Sequence, residues 1–66
     1  MTTMQRVEEL CSSRGITCNA LSLLCDLPPS TLRNARRRRG ELSVDTIERI
    51  CQGLDIKLAD FFRSWS

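Results

Sequence analysis

Histidine is absent from this 66-residue chain, and its three glycines form no glycine-rich loop. The commonest general base and the phosphate-cradling motifs are therefore missing together. Without histidine or clustered carboxylates no nucleophile–base pair can be assembled, so the chain does not read as an enzyme. A membrane span needs about 20 apolar residues, and no run approaches that length. No apolar stretch near Met1 resembles a signal peptide, so a cytoplasmic protein without a membrane partner is expected. Strand-type alternation, internal repeats and low-complexity tracts other than one arginine run are lacking as well. Aromatic side chains are scarce. Only Phe61, Phe62 and Trp65 could stack on RNA bases, and the two phenylalanines read as buried, so RNA binding is a weak option.

Sixty-six residues lie near the lower limit for a self-sufficient core. One domain follows, with no expected cofactor and no evident small-molecule ligand. Cys11, Cys18, Cys25 and Cys51 form no C-x-x-C pair, and a zinc site would need all four. Disulfides are disfavoured in the cytosol. Cys25 and Cys51 therefore read as small buried hydrophobes.

What is present is charge, unevenly placed. The net formal charge is only +2, yet residues 33–39 hold Arg33, Arg36, Arg37, Arg38 and Arg39 without an acid. The rest carries five basic against eight acidic residues, a net −3. A basic patch on an otherwise acidic domain points to a polyanion-facing surface. A solvated arginine face or a targeting signal is the competing explanation for the run taken alone.

Helical periodicity runs along the whole chain. Met4, Val7, Leu10 and Cys11 share one face of a first helix that Gly15 stops. Thr17 is a good N-cap for a second helix, with Leu21, Leu24 and Cys25 as its apolar stripe. Asp26 stands where a left-handed turn residue is expected, and Leu27 pins that turn to the core. Pro28 and Pro29 open a third helix. At about 100° per residue, Leu32 and Ala35 mark its buried stripe. Ser30, Arg33, Asn34 and Arg37 then share the opposite face, which suits base edges and phosphates.

Gly40 and Glu41 make a short connection. Ser43 caps a fourth helix, with Asp45 in its first turn and Val44, Ile47, Ile50, Cys51 and Leu54 as its stripe. Either Gly53 or Asp55 ends it. A last short helix follows, with Phe61 and Phe62 turned inward. The fold class is all-α. The expected helices cover approximately 4–14, 18–25, 29–38, 44–53 and 58–64 of a single domain at 1–66.

Two helices joined by a turn of about three residues, the second with an outward polar face, make a helix-turn-helix. The whole chain also resembles the lambda-repressor and Cro-like (XRE-type) helix-turn-helix family. The likeness rests on Gly15-Ile16-Thr17, Leu21 and Leu27-Pro28-Pro29-Ser30-Thr31-Leu32. It continues through Ser43-Val44-Asp45-Thr46-Ile47, Ile50-Cys51-Gln52-Gly53-Leu54-Asp55-Ile56 and Leu58-Ala59-Asp60-Phe61-Phe62. The resemblance implies a compact five-helix lambda-repressor-like DNA-binding domain, usually dimeric on a palindromic operator. By position it implies that Pro29, Ser30, Arg33 and Asn34 read bases, and that Thr17, Cys18, Arg37, Arg38 and Arg39 meet phosphates.

The chain departs from the family pattern in places. Cys18 stands in place of a glutamine, and Asp26 and Asp55 in place of turn glycines. Arg38 replaces the glycine that usually ends the third helix, which extends that helix in this reading. Leu23 and Leu24 occupy positions that are often polar, either as ordinary surface residues or as a partner interface. Trp65 either caps the core or joins a dimer contact.

The function expected is that of a sequence-specific, double-stranded DNA-binding transcriptional regulator acting as a homodimer. The alternative is a protein-interaction module, antitoxin-like or an anti-repressor partner, using Leu23, Leu24 and Trp65. A redox role for Cys18, at the start of the second helix, is a minor further option.

Overall fold

In the computed structural model, which describes residues 1–63, five helices and no strand are present among the described residues. They are α1 (Thr3–Arg14), α2 (Cys18–Leu24), α3 (Pro29–Arg37), α4 (Val44–Leu54) and α5 (Leu58–Phe61). Trp65, considered above for the core or a dimer contact, lies outside the described residues.

Each long helix begins and ends for a local reason. At α1, Thr2 and Gln5 form a capping box: the Thr2 hydroxyl accepts from the Gln5 amide, and Gln5 Oε1 accepts from the Thr2 amide at 2.8 Å. Thr17 caps α2 by accepting from the Ala20 amide at 3.0 Å, and Ser43 caps α4 through the Thr46 amide. Two helices stop in the same way. Gly15 (φ 65°) ends α1 and Asp55 (φ 57°) ends α4, each left-handed. The next amide then donates back into the helix, Ile16 to the Cys11 carbonyl and Ile56 to the Cys51 carbonyl. Asp55, not Gly53, is therefore the stop of α4. Gly53 instead lets α4 approach α2, because a Cβ there would lie 2.4 Å from Cys25 Sγ.

The core joins Met4 and Val7 of α1, Leu21 of α2, Ile50 of α4 and Phe61 of α5, all essentially without exposure. Leu10, Cys11, Cys25, Leu27, Leu32, Ala35, Ile47 and Cys51 complete it. Three residues expected inside are outside. Leu24 is 58 % exposed. The buried arc of α2 runs through Leu21, Cys25 and the half-buried Cys18, and Leu24 falls about 100° from its middle. Val44 is exposed because it opens α4 a full turn before Ile47, the first residue of that helix to reach the core. Phe62 is exposed because neighbours on a helical turn point about 100° apart. With Phe61 inward, the Phe62 ring packs edge-on against it instead, centroids 5.0 Å apart. The fifth helix is also shorter than expected, ending at Phe61 with Phe62 as its cap.

Two polar seams hold the layers in register. Arg6 on α1 donates to the carbonyls of Phe61 (2.5 Å) and Asp60 (2.7 Å) and pairs with Glu9. The N-terminus of α1 is stitched to the segment after α3. There the Thr3 amide donates to Glu41 Oε1 at 2.8 Å and the Met4 amide to the Gly40 carbonyl at 2.8 Å. Thr3 Oγ1 also accepts from the Leu42 amide at 2.7 Å. Helix amides that have no intrahelical partner are thereby satisfied by a distant loop. Gly40 is required at this stitch: its φ is 81°, and a Cβ would press on Thr2 Oγ1 at 2.9 Å. No buried side-chain nitrogen or oxygen among the described residues lacks a hydrogen bond.

Candidate nucleic-acid interface

The turn between α2 and α3 is closed by the Leu27 amide donating to the Ser22 carbonyl at 2.8 Å. Asp26 supplies the left-handed residue (φ 55°), and Leu27 is buried against the core. Pro28 is extended and Pro29 is the first helical residue, where a missing N–H costs nothing. Leu32 and Ala35 are buried beneath α3. Their burial fixes the roll of the helix about its axis.

That roll puts Ser30, Arg33, Asn34 and Arg37 on the solvent side, all exposed. From Ser30 to Arg37 the face is about 10 Å long. Among the described residues, none of these four side chains takes part in a hydrogen bond or ion pair that would have to be broken before a ligand is met. The first turn of α3 contains no acid and no side-chain cap. A positive helix end therefore faces outward without an internal counter-charge.

The arginine run is not one surface. α3 ends at Arg37, and Arg38 is its cap (φ −96°, ψ 45°), so the helix does not extend through residue 38. Arg39 then takes a left-handed conformation (φ 63°), followed by Gly40, whose amide returns to the Ala35 carbonyl at 2.8 Å. A side chain pays roughly 1 kcal/mol for that conformation relative to glycine. Arg36 is drawn away from the others. Its Nη2 lies 3.4 Å from Glu8 Oε1 on α1 and donates to Cys18 Sγ at 3.7 Å. Arg36 sits four residues after Leu32, only about 40° from the buried stripe, and this phase could have separated it from Arg33 and Arg37.

Two clefts border α3. On one side, Pro29, Arg33 and Arg36 meet Cys18, Asn19 and Ser22 of α2. On the other, Thr31, Asn34 and Arg38 meet Leu42, Ser43 and Thr46 at the start of α4. Pro29, Arg33 and Cys18 are thus brought together, as are Asn34 and Arg38, whereas Thr17, Arg37 and Arg39 line neither cleft. Thr17 remains exposed at the start of α2 with its hydroxyl committed to the cap. Ser43 and Thr46 belong beside this face, which sequence reasoning missed. The Ser43 cap signal was visible, but nothing local says that the start of α4 lies against Asn34.

No three cysteine, aspartate or glutamate side chains converge as a metal site among the described residues. No helix among them is long and apolar enough to cross a membrane.

A family model for the Cro/C1-type HTH DNA-binding domain matches residues 6–63. The match spans most of the chain, and the chain belongs to that family: it is a helix-turn-helix DNA-binding domain with a lambda-repressor-like fold. No curated protein and no solved structure matches it.

Proposed function

We propose that this Cro/C1-type domain is a sequence-specific transcriptional regulator that reads the major groove with α3, as a homodimer on a palindromic operator. The observation that carries the proposal is the outward face of α3, where Ser30, Arg33, Asn34 and Arg37 are exposed, acid-free and uncommitted. A major groove about 12 Å wide takes one helix of about that diameter. In this reading Asn34 makes paired hydrogen bonds to adenine, and Arg33 addresses guanine or a phosphate. Pro29 and Ser30, in the first turn, make the shorter apolar and polar contacts.

Thr17 and Cys18 on one flank, and Arg37, Arg38 and Arg39 after the helix, meet the phosphates that set register and affinity. The capped start of α4, with Ser43 and Thr46, adds a second flank to that set. Dimerisation follows from economy: one small domain spans few base pairs, so two half-sites about 34 Å apart are needed for selectivity.

Selection from random duplexes tests the reading directly. A motif repeated with two-fold symmetry at about one helical turn is the expected product. An unsymmetrical motif would remove the homodimer, and no enrichment would remove sequence-specific binding.

A second reading has one observation in its favour. Leu23 and Leu24 stand side by side at the end of α2, 73 % and 58 % exposed, as a protein-docking surface would. Gel filtration and protein capture, run beside a salt titration of duplex binding, separate the two. Tight protein capture without salt-sensitive DNA binding selects the interaction module.

A further inference from the structure

The arginine run has one acid close to it. Glu41 is the only carboxylate between Asp26 and Asp45, and it follows Arg39 by two residues. Its amide closes a turn onto the Arg38 carbonyl at 3.3 Å, and the side chains of both residues line the cleft beside Asn34. Such spacing invites an ion pair. Yet among the described residues neither Arg38 nor Arg39 pairs with Glu41 or with any other acid. The cause lies at the other end of the chain.

The first turn of α1 has no acid of its own, so the positive end of that helix must be balanced from elsewhere. Glu41 balances it. Its Oε1 accepts from the Thr3 amide at 2.8 Å and from the Thr3 hydroxyl at 3.1 Å. Thr3 Oγ1 in turn accepts from the Leu42 amide at 2.7 Å. Thr3 is only 9 % exposed, so these bonds lie where water competes poorly. A charge-assisted hydrogen bond is about twice as strong as a neutral one, whereas an ion pair between exposed side chains gains little. The carboxylate therefore stays on α1, and the guanidinium groups of Arg38 and Arg39, both exposed, stay in solvent.

We propose that Thr3 is a positioning residue for DNA binding: it holds the Glu41 carboxylate on the end of α1 and so keeps the charges of Arg38 and Arg39 for phosphate. The proposal rests on the reading of those two arginines as phosphate contacts. It adds a buried residue that acts from beneath the interface, through Glu41, rather than by meeting DNA itself. Without the Thr3 hydroxyl the carboxylate is left on a single amide and turns to the arginines beside it. One phosphate-facing charge is then neutralised from within the chain. The outward face of α3 is untouched, so affinity changes and sequence preference does not.

Salt titrations of the full chain on a duplex of random sequence test this, because binding there depends on phosphate contacts. Thr3→Val keeps the shape of the side chain and removes its hydroxyl. It should lower the slope of log affinity against log salt by about 0.9, and affinity at about 0.1 M salt by about eightfold. Thr3→Ser should keep both at the wild-type values. In a Glu41→Gln background no carboxylate is there to pair with arginine, and Thr3→Val should leave the slope unchanged. Circular dichroism confirms that each variant folds. Glu41→Gln alone tests the same point without touching a buried side chain, and the wild-type slope is expected. A slope raised by about 0.9 would mean that Glu41 already neutralises an arginine, and the proposal falls. It falls too if Thr3→Val keeps the wild-type slope, or if its loss persists in the Glu41→Gln background, the mark of a merely loosened loop. Arg38→Ala and Arg39→Gly tell the two levels apart. If either lowers the slope and Thr3→Val does not, only the positioning role is lost. If neither does, the phosphate reading of these arginines fails and takes the proposal with it.

Discussion

Arg6 and Arg33 are the same residue type in one small molecule, and their surroundings assign them opposite work. The Arg6 side chain is 12 % exposed and spends its donors on two carbonyls of the α5 end and on Glu9. Arg33 stands on the open face of α3 with no such commitment. The α1–α5 seam uses a guanidinium as a cross-link, where its fixed fork matches two adjacent carbonyls. The α3 face keeps its guanidinium in water, where it costs little and remains available to an anion. Composition alone counts both as basic residues. Only placement separates stability from affinity.

The sharpest way to break this comparison is Arg6→Ala. Charge-assisted hydrogen bonds are worth about 1.5–3 kcal/mol each, and the carbonyls of Asp60 and Phe61 lose both. A loss of about 2–4 kcal/mol in urea unfolding is expected, while the folded fraction keeps its salt dependence for DNA. A loss below about 0.5 kcal/mol, the range of an ordinary surface substitution, would mean that the seam is no cross-link.

Asn34→Ala comes next and acts on the other side of the ledger. Binding to the preferred duplex weakens by about 1–3 kcal/mol, and sequence preference relaxes at one position of each half-site. The urea midpoint stays nearly constant, because Asn34 is exposed and outside the core. Equal weakening on random duplexes would reduce Asn34 to a phosphate contact.

Arg39→Gly should move the two properties in opposite directions. Relief of the left-handed φ of 63° adds about 1 kcal/mol of stability. With Arg39 at a phosphate, as proposed, its removal lowers the slope of log affinity against log salt by about 0.9. A slope unchanged in the stabilised variant would take Arg39 out of the interface.

Glu8→Gln is the mildest. The Arg36–Glu8 pair is exposed at both ends, and such pairs contribute about 0–1 kcal/mol. Stability should barely change, while low-salt affinity for any duplex rises a few-fold as Arg36 loses its internal anion. An unchanged affinity would place Arg36 with Arg6, as a structural residue.

The parts of this fold that were legible in the sequence share a physical cause. Thr17, Ser43, Gly15, Asp26 and Leu32 act through partners a few residues away, or through a periodicity that a single helix carries. Caps, stops and the phase of α3 follow from such short-range chemistry. The misread positions depended on what lies opposite. Leu24 has the spacing of a core residue, yet the arc of α2 that meets α1 and α4 passes it by. Phe62 is apolar and adjacent to Phe61, but the single inward place in the last turn was already taken. Arg36 belongs to the same run as Arg37, and Glu8, 28 residues earlier, draws it aside.

By itself, then, the sequence determined five helices, the caps of α2 and α4, and a third helix whose Ser30, Arg33, Asn34 and Arg37 share one face opposite Leu32 and Ala35. Those are consequences of helical geometry and of hydrogen bonds within a turn or two. Only the tertiary structure decided which arginines remain uncommitted, where α3 stops, and that the start of α4 lies beside Asn34. Each of these needs two segments distant along the chain to be neighbours in space, and packing of the common core brings them there.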